Sequence, residues 1–261
     1  MGWGYRYHIP YAIALAMRGS TDEAAAVLAS LEKTRRPFRG LDYERSLARG
    51  WLAAGQGAVT EAIATMLSAA KTAAAKEQFA AELLCLQTAT QFGDHSAVSR
   101  LNELASIVEG PRAPLVARFA AALCPVDGAE LETLSKEFEN MGDLVAAVDA
   151  AAHACLAFRE GDLRGSALRC SSRAESLAKR CGVSTPTLRE VSEPLPLTGR
   201  EREIVSLLRY GYSTREVAER LCVSARTVEG HVYRAMTKTG AATREELIRM
   251  VFPDWDGPSG S

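Results

Sequence analysis

The sequence predicts an all-α protein, a series of helical hairpins followed by a small four-helix unit, and three observations carry that prediction. Alanine is abundant, while β-branched and aromatic residues are too scattered to alternate as strands do. Helix-length segments recur with turn glycines Gly19, Gly57, Gly93 and Gly161, the first three at steps of 36 to 38 residues and the last nearly two steps on. The last sixty or so residues carry several explicit helix-start signals, so the helices there are short and closely packed.

The 261 residues favour two domains. The apolar fraction of 47% and charged fraction of 24% are those of an ordinary globular chain. No apolar run reaches the roughly 18 residues of a membrane span and no signal-peptide pattern opens the chain, so no membrane partner and a cytoplasmic location are expected. The six cysteines have neither CxxC nor metal-ligand spacing, which predicts reduced, mostly buried thiols and no metal site. The net charge of -1 is uneven: residues 194–252 carry about +3 and the remainder about -4, a hint of a nucleic-acid module at the C-terminal end.

In the segment "CGVSTPTLREVSEPLPLTG" from Cys181, Pro186, Pro194 and Pro196, with two glycines and several hydroxyl residues, mark 182–196 as a linker. It divides a helical-repeat domain, 1–181, from a C-terminal domain, 197–252, and a disordered tail, 253–261. Within the first domain Ala24 and Leu28 follow Gly19 as a small and a large residue one turn apart. Ala62 and Met66 follow Gly57 in the same way, with Gly50 at the small position of the preceding helix, and Ser166 and Cys170 follow Gly161. At a small residue two helices approach closely and a large neighbour fills the groove. The third unit slips by one residue to Ala97, and the unit "CPVDGAELETLSKEF" has no turn glycine in register. This pattern resembles tetratricopeptide repeats, implying about five hairpins with the fourth irregular and a concave face for an effector; an irregular bundle of alanine-rich helices is the other reading.

In the C-terminal domain Thr198 with Glu201, Ser213 with Glu216 and Thr243 with Glu246 each form a capping box, and Ser224 is a fourth N-cap with Thr227 in the Glu position. Helices are expected over 199–209, 214–221, 225–238 and 244–251, with Gly211 and Gly240 ending the first and third. Only Cys222, Val223 and Ser224 separate the second from the third, which is helix-turn-helix spacing. With Val228, Val232, Ala235 and Met236 turned inward, the third helix presents Arg226, Glu229, Gly230, Tyr233 and Arg234 outward. One helix of that kind fits a B-DNA major groove. Gly230, costly inside a helix, suggests a close approach to the backbone.

The stretch "LTGREREIVSLLRYGYSTREVAERLCVSARTVEGHVYRAMTKTGAATREEL" resembles the LuxR-type DNA-binding domain along its whole length, at Leu197, Thr198, Arg200, Glu201, Glu203, Gly211, Ser213, Glu216, Ala218, Leu221, Ser224, Thr227, Val228, His231, Lys238, Gly240, Arg244 and Glu246. Thr239 and Ala241 depart from the family's usual leucine and valine, loosening the fourth helix that such domains use for dimer contact. The resemblance implies a double-stranded DNA partner and a homodimer on DNA.

Arg226, Arg234, Lys238 and Thr227 are the candidates for phosphate contacts, as are the starts of helices two and three at Ser213, Thr214 and Ser224. Arg200 and Arg215 would clamp the flanking backbone. Glu229 and Tyr233 are the candidates for base edges; Glu229 can also pair with Arg226 three residues earlier. His231, Tyr210 and Tyr212 read as packing residues.

No phosphate-binding loop, receiver-type aspartate pocket or catalytic spacing of the four histidines is present in the sequence, so no enzyme activity and no cofactor are expected. The chain resembles only the C-terminal portion of the large ATP-dependent LuxR regulators, as a short relative or a piece of a longer polypeptide. Trp3, Tyr7, Tyr11 and Trp51 lie near Arg45 and Arg49 in sequence and are the candidate ligand residues: rings stack on sugar faces and guanidinium groups bind hydroxyls. The same residues also read as core knobs beside a solvated charged face. The expected function is a transcription regulator whose repeats bind a small molecule, a carbohydrate among the candidates, or a protein. The alternative is a helical-repeat scaffold that contacts the transcription machinery, RNA polymerase included, without reading DNA sequence.

Overall fold

The computed structural model describes residues 4–33, 42–192, 197–252 and 255, with side chains from Tyr7 onward. Among them are 15 helices and no strand, and no helix is long and apolar enough to cross a membrane. The chain divides into two compact units, Met1–Gly55 with Ala62–Ser192, and Gln56–Glu61 with Glu193–Ser261.

The first unit is built from α1 (Gly4–Met17), α2 (Thr21–Lys33), α3 (Asp42–Gly55), most of α4 (Val59–Ala74), α5 (Phe79–Gln91), α6 (Val98–Ile107), α7 (Arg112–Ala122), α8 (Gly128–Met141), α9 (Leu144–Glu160), α10 (Arg164–Cys181) and α11 (Pro186–Ser192). Helices adjacent in sequence pack together, α1 with α2, α5 with α6, α7 with α8 and α9 with α10. Gly19, Gly57 and Gly93 all take left-handed backbone at the turns, where a Cβ would be strained. Gly161 does not: its φ is -83°, and Asp162 beside it holds the left-handed position at 53°. Aspartate tolerates that conformation better than most side chains. Between α7 and α8 no glycine turns the chain; Asp127 instead caps α8 by accepting from Ala129 N and Glu130 N.

The main core centres on α9, whose residues Ala146–Cys155 are buried apart from a half-buried His153. Alanines on this helix let α8 and α10 pack closely against it. Phe119 of α7 meets Phe138 of α8 edge-on at 5.7 Å and the His153 ring at 5.8 Å. A smaller cluster of Ile9, Ala12, Leu28, Leu31 and Ala48 holds α1 to α3. Gly50 of α3 lies against Met66 of α4 so closely that a Cβ would stand 2.6 Å from Met66 Cε. Within 182–196, expected as linker, the structure has the helix α11, which packs on α9 and α10. Leu188 and Val191 on its inner face are buried, which accounts for a helix in a proline-rich stretch: Pro186 stands at its first position, where its missing N–H costs nothing. The thiols of Cys85, Cys155 and Cys170 are buried, whereas Cys124 and Cys222 are exposed and Cys181 half-buried, all of them free.

The second unit contains α12 (Gly199–Arg209), α13 (Thr214–Arg220), α14 (Ala225–Thr239) and α15 (Arg244–Val251). These bounds fall within one residue of those expected from the caps. Ile204, Leu207, Val217, Val228, Val232, Ala235 and Leu247 make its core.

Candidate nucleic-acid interface

The caps that set the geometry of the second unit form mostly as their spacing implies. Thr198 accepts from Glu201 N and Glu201 Oε2 from Thr198 N; Ser213 and Glu216 repeat both bonds. At α15 only half of the box closes. Thr243 accepts from Glu246 N, but the Glu246 carboxylate takes the amide of Ala242, one residue earlier. Ser224 caps α14 by accepting from Thr227 N at 3.1 Å, and the two hydroxyls meet at 2.7 Å. The turn between α13 and α14 is closed by Cys222 at φ 52° and by Val223 N donating to Ala218 O. Gly211 and Gly240, both left-handed, follow α12 and α14.

With the inner side of α14 in the core, its outer side is solvent. Arg226, Glu229, Tyr233 and Arg234 are exposed, Tyr233 at 73%, while Gly230 between them is half-buried and Met236 is only half-buried rather than fully turned in. No atom lies within 4 Å of where a Cβ would stand on Gly230. The reason for a glycine there is therefore not crowding by the described residues.

The predicted contact residues differ sharply in how far they are committed. Arg226 has no ion pair among the described residues, with Glu229 or otherwise. Arg234 Nη2 donates to His231 Nδ1 at 3.1 Å. Burial, then Arg234 and Arg200, holds the His231 imidazole below its ordinary pKa and so favours the neutral acceptor. Lys238 Nζ bonds Glu201 Oε2 at 2.7 Å. Arg200 pairs with Glu203 at 2.8 Å and donates to Leu221 O at 3.1 Å, tying α12 to the end of α13. Arg215 and Glu219 form an exposed pair along α13, worth little in water. Ser213, Thr214, Ser224 and Thr227 lie at the starts of α13 and α14. Arg244 Nη1 donates to Thr214 Oγ1 at 3.1 Å, a link across 30 residues that no local spacing signals. Arg220 lies 4.2 Å from the Tyr212 ring, a packing role for that tyrosine.

In the first unit the candidate ligand residues are spread. Tyr7 and Tyr11 lie one turn apart on α1, both exposed; Arg49 is exposed and Arg45 half-buried on α3. Trp51 is buried, its ring edge-on to Phe92 at 4.8 Å. Trp3 lies outside the described residues.

Among known proteins, residues 195–251 match the family described as "Bacterial regulatory proteins, luxR family". Similar curated proteins include the "Oxygen regulatory protein NreC" of Staphylococcus aureus strains JH9 and Mu3 / ATCC 700698. Each is 46% identical over 52 residues, 20% of this chain and 24% of the relative. The chain thus spans about a quarter of the length of the curated relatives it matches. No solved structure matches. The C-terminal residues 195–251 are a luxR-family helix-turn-helix domain.

Proposed function

We propose that this chain is a DNA-binding transcriptional regulator in which α14 enters the major groove and the helical hairpins of the first unit, tetratricopeptide-like in their small-to-large packing, bind an effector. The observation that carries this reading is the division of α14 into a buried side, Val228, Val232 and Ala235, and an open side bearing Arg226, Glu229, Tyr233 and Arg234 around Gly230. An unpaired arginine, a largely exposed tyrosine and room above a glycine suit a phosphate, a base edge and a close-lying backbone respectively. The luxR-family match supports regulation. The relatives' name refers to oxygen, but the match covers only the helix-turn-helix segment, so that property is not carried to this chain.

In this reading Arg226 and Arg234 contact phosphates, with Thr227 and Ser224 at the start of α14. Glu229 and Tyr233 face base edges, and Arg200, Arg215 and Lys238 flank them. The effector, a small molecule or a protein, controls DNA binding only by favouring one state of the chain over another.

The test is a gel shift of the full chain against randomised duplexes at several salt concentrations. Arg226→Ala is expected to weaken binding at every sequence and to lower the salt slope by about one. Tyr233→Ala is expected to change which sequences are retained. Equal retention of all duplexes, with no response to either substitution, would favour a scaffold that meets the transcription machinery through protein contacts.

A further inference from the structure

In the first unit, residues of α1, α3, α5, α7 and α9 line a cavity of about 500 Å³ that opens to solvent, within the size range of small-molecule sites. Part of its lining is apolar: Ile13 and Met17 of α1, Leu47 and Trp51 of α3, Leu84 of α5 and Val145 of α9. The rest is polar in an unusual way. Gln87, Thr88 and Gln91 follow Leu84 on the same face of α5, at positions where packing alone would select apolar residues, and all three are at least nine-tenths buried.

Their hydrogen bonds divide into those that are closed and those left over. Gln87 is closed: it accepts from Arg112 Nη1 at 2.8 Å and donates to Asp143 Oδ2 at 2.9 Å. Thr88 donates to Leu84 O within its own helix. Gln91 is closed on one side only. Its Nε2 donates to the buried Asp149 Oδ2 at 2.9 Å, which fixes the amide orientation, while its Oε1 accepts from no donor among the described residues. Gln91 lines the cavity. Arg112 likewise spends only Nη1, on Gln87 and on Asp143, leaving Nε and Nη2 uncommitted among the described residues. The Arg112–Asp143 ion pair cancels its own charge, so an ionic ligand would lose water without gaining a counter-ion.

We propose that this cavity binds an uncharged small molecule with an apolar body and an amide or hydroxyl head, the head donating to Gln91 Oε1 and accepting from Arg112. The proposal rests on the effector reading above and gives it a site and a ligand class. Of the described aromatic and arginine residues picked out by sequence, only Trp51 lines it. Gln91 also connects the cavity to α11: its main-chain oxygen accepts from Thr187 Oγ1 at 3.2 Å and from His153 Nε2 at 3.0 Å. A ligand held by the Gln91 side chain therefore acts on the residue to which α11, the last helix of the unit, is bonded.

The experiment titrates the full chain calorimetrically with octanamide, octanoate and octylamine. Octanamide is expected to bind saturably at one site, and the two ions at least tenfold more weakly. Gln91→Leu should weaken octanamide about tenfold. Leu84→Trp and Val145→Trp, which fill the cavity from two helices, should abolish binding, with circular dichroism reporting whether each is folded. Independently of those variants, 8-bromooctanamide should quench tryptophan fluorescence in the wild type and not in Trp51→Phe. Equal binding of octanoate or octylamine overturns the ligand class. Octanamide binding that survives in folded Leu84→Trp and Val145→Trp overturns the site but leaves the effector reading standing. No binding of any probe overturns the proposal, and a thermal-shift screen of sugars and peptides then decides separately whether the unit binds an effector at all.

Discussion

Lys238 Nζ stands 2.7 Å from Glu201 Oε2, the same carboxylate oxygen that accepts the Thr198 amide at the start of α12. One buried oxygen therefore caps α12 and anchors the C-terminal turn of α14. Burial pushes this carboxyl upward, but the bonds from Lys238 and Thr198 outweigh it and hold the group below the ordinary carboxylate range. Glu201→Gln is expected to destabilise the second unit by about 1–3 kcal/mol, the range for leaving a buried or charged partner unmatched. Hydrogen exchange of α12 and α14 amides in the full chain would register this as faster exchange. Because the folded pKa is depressed, the contribution is complete above the unfolded value and is lost as pH falls through the lower folded one. The same bond changes how Lys238→Ala should be read: lost DNA affinity in that variant would come with faster exchange in α14, whereas Arg226→Ala should lose affinity with exchange unchanged.

Gly230→Ala separates folding from recognition. A Cβ there meets no atom within 4 Å, and an alanine inside a helix is favoured over glycine by about 0.5–1 kcal/mol. The substitution should therefore raise the stability of the second unit by up to that amount. If DNA lies against this backbone, the same methyl group should weaken DNA binding tenfold or more. Urea unfolding together with a gel shift measures both; a more stable variant with undiminished DNA binding would remove Gly230 from the interface.

The second unit was legible because its information is local. Caps at Thr198, Ser213, Ser224 and Thr243 act within three residues, so helix bounds could be read from spacing alone. The committed state of its cations was not legible: Glu201 with Lys238 and Thr214 with Arg244 meet only once the helices are packed. In the first unit the turns at Gly19 and Gly93 were readable, whereas the left-handed position expected at Gly161 falls on Asp162 and α11 was hidden by a proline-rich stretch of which only Pro186 belongs to it. The cavity was hidden for a further reason. Gln87, Arg112 and Asp143 are separated by 25 and 31 residues, and glutamines in a sequence look like surface.

Gly50 tests the packing rule inferred for the hairpins. A Cβ at this position would come within 2.6 Å of Met66 Cε and 3.1 Å of its Sδ, so the fully buried Met66 side chain must shift to accept it. Overpacking typically costs about 1–3 kcal/mol, more than the helix propensity alanine brings. Gly50→Ala should therefore lower stability by about 1–2 kcal/mol. In a Met66→Ala background the clash is gone and the same change should be neutral or stabilising. A double-mutant cycle by urea unfolding checks this; additive effects would mean that the two side chains do not share the contact.

Asp149 and His153, one turn apart on α9, are expected to give the first unit opposite pH slopes that largely cancel. Burial raises the Asp149 carboxyl to about 7, with Thr185 and then Gln91 keeping it from rising further. Burial lowers His153 to about 4, which leaves a neutral ring whose Nε2–H donates to Gln91 O. A raised carboxyl contributes stability below its unfolded value that is lost as pH rises through 7; a lowered imidazole contributes stability above its unfolded value that is lost as pH falls toward 4. Each effect is of the order of a few kcal/mol. Asp149→Asn should uncover the histidine slope, with stability climbing between about pH 4 and 6.5 relative to wild type. His153→Gln, which keeps a donor for Gln91 O, should uncover the carboxyl slope, with stability falling over about pH 4 to 7. Urea unfolding at half-unit pH intervals distinguishes these, and variant curves parallel to wild type would mean that neither group is held in the protonation state its burial implies.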